Sequence, residues 1–266
     1  MLGPGISAFW GHLEFTLHSW LFKFHSSSYA GSVLSRKNWR PEEVLIPATL
    51  VLVMAAMSIA ALFAGPLKGD PTQLAGLWLQ VFVFQVPTLL LVQRFLGRHE
   101  TSWADGFGFL NQTPRQLMGW LAVTIPASVI GLYGLHQASN GLLHWAGGAV
   151  EVQSSVKVLL AGSMGVKISV AFIAILIAPA VEESVFRGIL FPFCRDLGWR
   201  WPGLIGTSVL FGVVHANLAT LLPLSVFGML LCRLYERTGN LLICILTHAG
   251  FNAVSVTLAF AGWLEG

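Results

Sequence analysis

Glu182, Glu183 and Arg187 lie inside one apolar stretch, ISVAFIAILIAPAVEESVFRGILFPFCR at 168–195, and call for a chemical account. In bilayer hydrocarbon each such side chain costs roughly 2.5 to 3.5 kcal/mol on insertion scales, so a cluster of three points to a use. Residues four apart share a helix face, so Glu183 and Arg187 can pair along the helix and neutralise each other. Glu182 points about 100° away around the axis and is left for another partner. The plainer reading of the same residues is an ion-pair network that locks a helical bundle without chemistry.

Two further polar pairs sit in apolar segments. In WPGLIGTSVLFGVVHAN, Phe211 and His215 are four apart, beside a small-residue face of Ser208, Gly212 and Ala216 that lets another helix approach closely. In LLICILTHAGFNAV, His248 and Asn252 are again four apart on one face. At about 1.5 Å per residue, Glu182 lies roughly 20 Å from Arg195 and His215 roughly 22 Å from Arg200, so the two helices flanking one short loop carry them at similar heights. His248, roughly 12 Å past Asn240, falls a turn or two shallower, within reach of a modest shift in helix ends or tilt. A lone intramembrane His or Asn more often bridges helices by a hydrogen bond. Two carboxylates, two imidazoles and an amide on three helices instead suit hydrolysis: a carboxylate base, imidazoles to orient water, and donors for an oxyanion.

The trio E-E-x-x-x-R (Glu182, Glu183, Arg187), F-x-x-x-H (Phe211, His215) and H-x-x-x-N (His248, Asn252) resembles, in order, the motifs of the CPBP (Abi) family of intramembrane endopeptidases, which includes the type II CAAX prenyl proteases. The resemblance covers residues 168 to 262. It implies that Glu182 activates the attacking water together with His215, that His248 and Asn252 stabilise the oxyanion, and that Glu183 and Arg187 hold the site, with Phe211 in support. It implies no required cofactor. The alternative is a zinc site with Glu182, His215 and His248 as ligands, although the chain has no H-E-x-x-H. The implied substrate is a membrane-anchored or lipidated protein or peptide.

Composition agrees with a life in the bilayer. The 266 residues are 55% hydrophobic and 10% charged, where soluble domains carry about a quarter charged residues. The net charge of +3 comes from thinly spread basic residues, so nothing points to nucleic acid. Cys194, Cys232 and Cys244 form no C-x-x-C pair and read as buried packing residues. The N-terminal run mixes His, Glu and Lys into its apolar residues, so no cleaved signal peptide is expected.

The elements that must position these groups follow from hydropathy and punctuation. The fold class expected is all-α: a polytopic transmembrane bundle of seven to eight spans, preceded by an interfacial amphipathic helix over 6–24. Residues 1–43 form an N-terminal interfacial segment and 44–266 the membrane domain, with the catalytic core at 168–262. Spans are expected at 44–65, 74–93, 117–135, 168–195, 202–217, 219–236 and 241–262, and 136–167 shows no clear period. Eleven of the fifteen Lys and Arg fall in regions assigned to one side, against Lys68, Lys157 and Lys167 on the other. That asymmetry puts the N-terminus and the 196–201 loop in the cytoplasm of a cell-membrane protein. The non-enzymatic alternative is a bacteriocin-immunity or transporter-type protein using the same polar cluster without cleavage.

Overall fold

The computed structural model describes residues 33–64, 74–148 and 154–262. The helix expected over 6–24, the turn around Lys68 and the C-terminal Gly266 lie outside the described residues. Among the described residues every regular element is a helix: α1 (Pro41–Ala64), α2 (Leu74–Arg98), α3 (Trp103–Phe107), α4 (Pro114–Trp145), α5 (Ser154–Ala161), α6 (Met164–Asp196), α7 (Arg200–Val213), α8 (Leu218–Thr238) and α9 (Leu241–Phe260). Five of them, α2, α4, α6, α8 and α9, are long and apolar enough to cross a membrane. Their outward faces present Phe82, Leu90, Val123, Ile130 and Ile168. The protein is an all-helical, multi-pass membrane protein.

Two departures from the expected segments bear on the site and its surroundings. The helix expected at 117–135 runs from Pro114 to Trp145, because a capping box of Thr113 and Gln116 starts it early and it continues through Gly141, a position that faces open space. The segment expected as a span at 202–217 is helical only over Arg200–Val213, 14 residues or about 21 Å. Ala216 takes a left-handed backbone conformation, φ 49°, which ends the helical path and turns the chain into α8. His215 therefore sits just beyond the helix end.

Two helices are widened, α2 once and α6 twice, and the sequence says where. The π-helical stretches Val81–Gln85, Ile173–Ile177 and Ser184–Leu190 each close with an N–H bonding five residues back, from Val86 to Val81, Ala178 to Ile173 and Phe191 to Phe186. In each case the next residue is a proline: Pro87, Pro179 and Pro192. A proline ring clashes with the carbonyl four residues back and offers it no N–H; widening the preceding turn by one residue relieves the clash but leaves carbonyls to be satisfied from outside the helix. The second and third stretches flank Glu182 and Glu183 in α6.

One end of the bundle is knitted across distant segments. Val33 and Leu34 donate backbone N–H groups to the Glu236 carbonyl at 2.9 and 3.0 Å. The fully buried Arg195 donates to the Leu34 and Ser35 carbonyls, and Lys37 N–H to Asp196 Oδ2 at 2.6 Å. Asn111 and Gln112 donate to the Gly239 and Thr238 carbonyls, and Asn240 to the Phe109 carbonyl. Glycine at 108 is needed here, since a Cβ would lie 2.0 Å from the Gly239 oxygen. The strap 33–39, the region 99–113, and the ends of α6 and α8 thus share one end.

The small-residue face on α7 meets α8. A Cβ on Gly212 would lie 2.7 Å from Ser225 Oγ, and one on Gly228 would lie 2.8 Å from Ser208 Cβ, so glycine on both helices sets their close approach. Phe186, Ile189, Phe211, Phe227, Leu231 and Ile243, all nearly inaccessible, fill the space between α6, α7, α8 and α9.

Candidate active site

Glu183 is the hub of the polar cluster. Fully buried on α6, it accepts at a single oxygen, Oε1, from Arg187 Nη1 and from His248 Nδ1, both at 2.9 Å. The first bond joins positions four apart on α6, the second crosses to α9. Arg187 is also fully buried and lies with its guanidinium carbon 4.3 Å from the centroid of the Phe211 ring, a cation–π contact in desolvated surroundings. Gly228 makes room for this group, since a Cβ there would lie 3.0 Å from Arg187 Nη2.

His248 is oriented from both sides. A carboxylate can only accept, so the bond to Glu183 places a proton on Nδ1 and turns Nε2 outward. Nε2 stands 3.9 Å from Glu182 Oε2. The edges and faces of Phe211 and Phe227 enclose the imidazole, with ring centroids 5.7 and 5.3 Å away and planes nearly perpendicular. Next to it, Thr247 Oγ1 and Thr124 Oγ1 hydrogen-bond at 2.8 Å, fixing α9 against α4. Straight-helix arithmetic places His248 a turn or two shallower than the carboxylates; the fold brings it level with Glu183.

Glu182 differs from its neighbour. Its side chain keeps 23% of its surface accessible, and its Oε2 is buried without a hydrogen-bond donor from the protein. It is the carboxylate beside His248 that no cation neutralises at hydrogen-bond distance. His215, half-buried beyond the end of α7, bonds through Nδ1 to the Phe211 carbonyl at 2.7 Å. A carbonyl can only accept, so Nδ1 carries the proton and, in the neutral ring, Nε2 is left with its lone pair.

Asn252 has a local partner. Its Nδ2 donates to the Ala174 carbonyl at 2.7 Å. The Ala178 N–H that would serve this carbonyl in an α-helix goes to Ile173 instead, and residue 179, next in line in a π turn, is a proline. Asn252 thus fills a gap that the widened turn opens, with one Nδ2–H used and a second remaining. Glu182, Glu183, Arg187, Phe211 and His248 come together through direct contacts, His215 joins them through the Phe211 ring at 4.9 Å, and Asn252 is tied to α6 two turns before Glu182. Among the described residues no three His, Cys, Asp or Glu side chains are grouped to hold a metal ion, the alternative zinc ligands Glu182, His215 and His248 included. Phe227 was not legible as a site residue, because it belongs to no spaced polar pair and its role comes only from contact with His248.

Residues 164–254 match the model of a family described as type II CAAX prenyl endopeptidase Rce1-like. The matched stretch starts with α6, ends within α9, and holds all three motifs. A curated protein named "Putative membrane peptidase YdiL", from Bacillus subtilis (strain 168), is 34% identical over 84 residues, covering 31% of this chain and 34% of that protein. The matched stretch spans about a third of the relative's length. No solved structure matches. The likeness carried by the three motifs extends across the whole polar cluster: over residues 164–254 the chain is similar to the Rce1-like family of type II CAAX prenyl endopeptidases.

Proposed function

We propose that this protein is an intramembrane endopeptidase of the cell membrane that hydrolyses a peptide bond in a membrane-associated or lipidated protein, using a water activated by Glu182. The observation that carries the reading is the contrast between adjacent carboxylates: Glu183 is fully buried and neutralised by Arg187 at 2.9 Å, while Glu182 keeps 23% of its side chain accessible, has no cation at hydrogen-bond distance and holds an unpartnered Oε2 3.9 Å from His248. An accessible carboxylate with an open oxygen can hydrogen-bond a water placed beside it, which is the geometry a general base requires.

In this mechanism Glu182 takes a proton from water as the water oxygen bonds to the scissile carbonyl carbon. The Nε2 lone pair of His215 accepts a hydrogen bond that orients the water. The carbonyl oxygen, now carrying the negative charge, is stabilised by the second Nδ2–H of Asn252 and by His248, which donates through Nε2 when both ring nitrogens carry protons. Collapse of the tetrahedral species breaks the C–N bond, and Glu182 returns the proton to the leaving amine. No step calls on a metal.

The test uses the full chain, purified in detergent or liposomes, with a panel of membrane-anchored peptides with and without a prenyl group. Cleavage reduced about 10²-fold or more by Glu182→Gln, with the variant still folded, supports the reading. Activity retained after extensive chelation supports its metal-free form. Equal cleavage by wild type and variant overturns the assignment of Glu182. Zinc-dependent cleavage overturns the metal-free mechanism, and absence of any product favours a transporter or immunity role.

A further inference from the structure

Trp39 lies outside the matched segment, in the strap before α1, yet its indole Nε1–H donates to the Gly188 carbonyl of α6 at 3.1 Å in a fully packed setting. Gly188 directly follows Arg187, in the π-helical stretch Ser184–Leu190. In an α-helix the carbonyl of residue 188 would receive the N–H of residue 192, and residue 192 is a proline. The turn that carries Arg187 therefore has a main-chain acceptor with no α-helical donor of its own. A buried carbonyl left so is costly, and the turn around it is free to shift.

Trp39 is held by contacts away from the Gly188 turn. On its N-terminal side, Lys37 donates its backbone N–H to Asp196 Oδ2 and its Nζ to the Gly106 carbonyl at 2.7 Å. On its C-terminal side, Arg40 donates its backbone N–H to His99 Nε2 at 2.9 Å. Asn38 between them has φ 53°, a left-handed conformation that asparagine tolerates and that turns the next side chain inward. The ring itself packs edge-on against Phe95 and His99, with centroids 5.0 and 4.9 Å away. Across the helix, Gly188 is pressed against Phe107, where a Cβ would come within 2.7 Å of the ring.

We propose that Trp39 is a positioning residue for the Glu183–Arg187–His248 array, acting through the Gly188 carbonyl; the catalytic part of this proposal rests on the hydrolytic reading above. By supplying the donor that Pro192 cannot, the indole fixes the widened turn, and with it the guanidinium that shares Glu183 Oε1 with His248. Loss of the N–H lets the turn relax by a fraction of an ångström, and displacement of a catalytic constellation by about 1 Å can cost about 10² in rate.

The experiment replaces Trp39 by Phe, which keeps an aromatic ring and removes the donor. Where Trp39→Phe does not fold, benzothienyl-alanine is incorporated at position 39, keeping the shape of indole with sulfur in place of N–H. Two readouts are taken on the full chain. The first, independent of turnover, is the nitrogen NMR spectrum of histidine-labelled protein: the His248 Nδ1 resonance should move, while those of His136 and His144 stay fixed. The second is steady-state cleavage, where kcat should fall about tenfold with KM within about twofold, at a temperature well below the variant's melting midpoint. An unmoved His248 resonance overturns the proposal whatever the turnover. A moved resonance with unchanged kcat overturns its catalytic part. If wild-type protein cleaves no peptide, the hydrolytic reading has failed and the resonance alone decides whether Trp39 positions His248.

Discussion

Glu183 and His248, 65 residues apart in sequence and on different helices, share a 2.9 Å hydrogen bond whose acceptor oxygen is also bonded by Arg187. The bond links charge neutralisation to orientation. The carboxylate that cancels the buried guanidinium is the same one that turns the imidazole toward Glu182, so the two roles can be separated only by changing both ends.

Removal of Glu183 should accordingly act twice. Glu183→Gln strands the fully buried Arg187 and should destabilise the fold by about 3 to 5 kcal/mol, read as lost folded yield or a lowered denaturation midpoint. Replacing the pair together, as Glu183→Leu with Arg187→Met, should recover the folded yield because no unpaired charge remains. Turnover should stay low in the double variant, since His248 has lost its acceptor. Recovery of turnover along with folding would show that Glu183 serves stability alone.

Asn252 carries a structural bond as well as its proposed catalytic one. Asn252→Ala should leave the Ala174 carbonyl without its side-chain donor, lowering stability by about 1 to 3 kcal/mol. Measured well below the variant's own melting midpoint, turnover should still fall by about 10² to 10³ with KM little changed, the signature of a lost oxyanion donor. A loss of stability with turnover intact would confine Asn252 to bracing the widened turn.

The knitted end of the bundle makes a topological prediction. Regions holding most of the Lys and Arg residues, from the strap to the ends of α6 and α8, meet there, and a surplus of these residues marks the cytoplasmic side. Single cysteines at Gly198 and at Gly147, in a cysteine-free background, should react with a membrane-impermeant thiol reagent from opposite faces, Gly198 from the cytoplasmic one. Labelling of both from the same face would break the proposed topology.

Lys37 gives the strap a pH dependence. Burial, reinforced by the Arg195 charge and partly opposed by Asp196, lowers its pKa from 10.5 to about 8. Between about 8 and 10.5 the unfolded chain holds a proton that the folded chain has released, so this group makes stability rise with pH across that window. Below about 8 both states are protonated and the cost of burying the ammonium is present in full. The melting midpoint of wild type relative to Lys37→Met should therefore climb from pH 7.5 to pH 10; a difference that is flat across this range would contradict the assignment.

What the sequence alone determined were the residues and their helices. An apolar chain with 10% charged residues has few places to put a buried carboxylate, so Glu182, Glu183 and Arg187 stood out by cost, and the spacing of His248 with Asn252 assigned that pair to a helix, whereas His215 lies beyond the end of the helix that carries Phe211. The Glu183–Arg187 pairing was legible because it is local. What only the tertiary structure decided were the relationships between helices. His248 meets Glu183 at 2.9 Å although height arithmetic on straight helices sets the two a turn or two apart. The prolines that cause the widening are visible in the sequence, but the donors that fill the resulting gaps, Asn252 on α9 and Trp39 in the strap, lie 78 and 149 residues from the carbonyls they serve. Side-chain periodicity reports what one helix turns toward a neighbour; which neighbour is there, and which of its atoms meets an open carbonyl, follows from packing the whole chain.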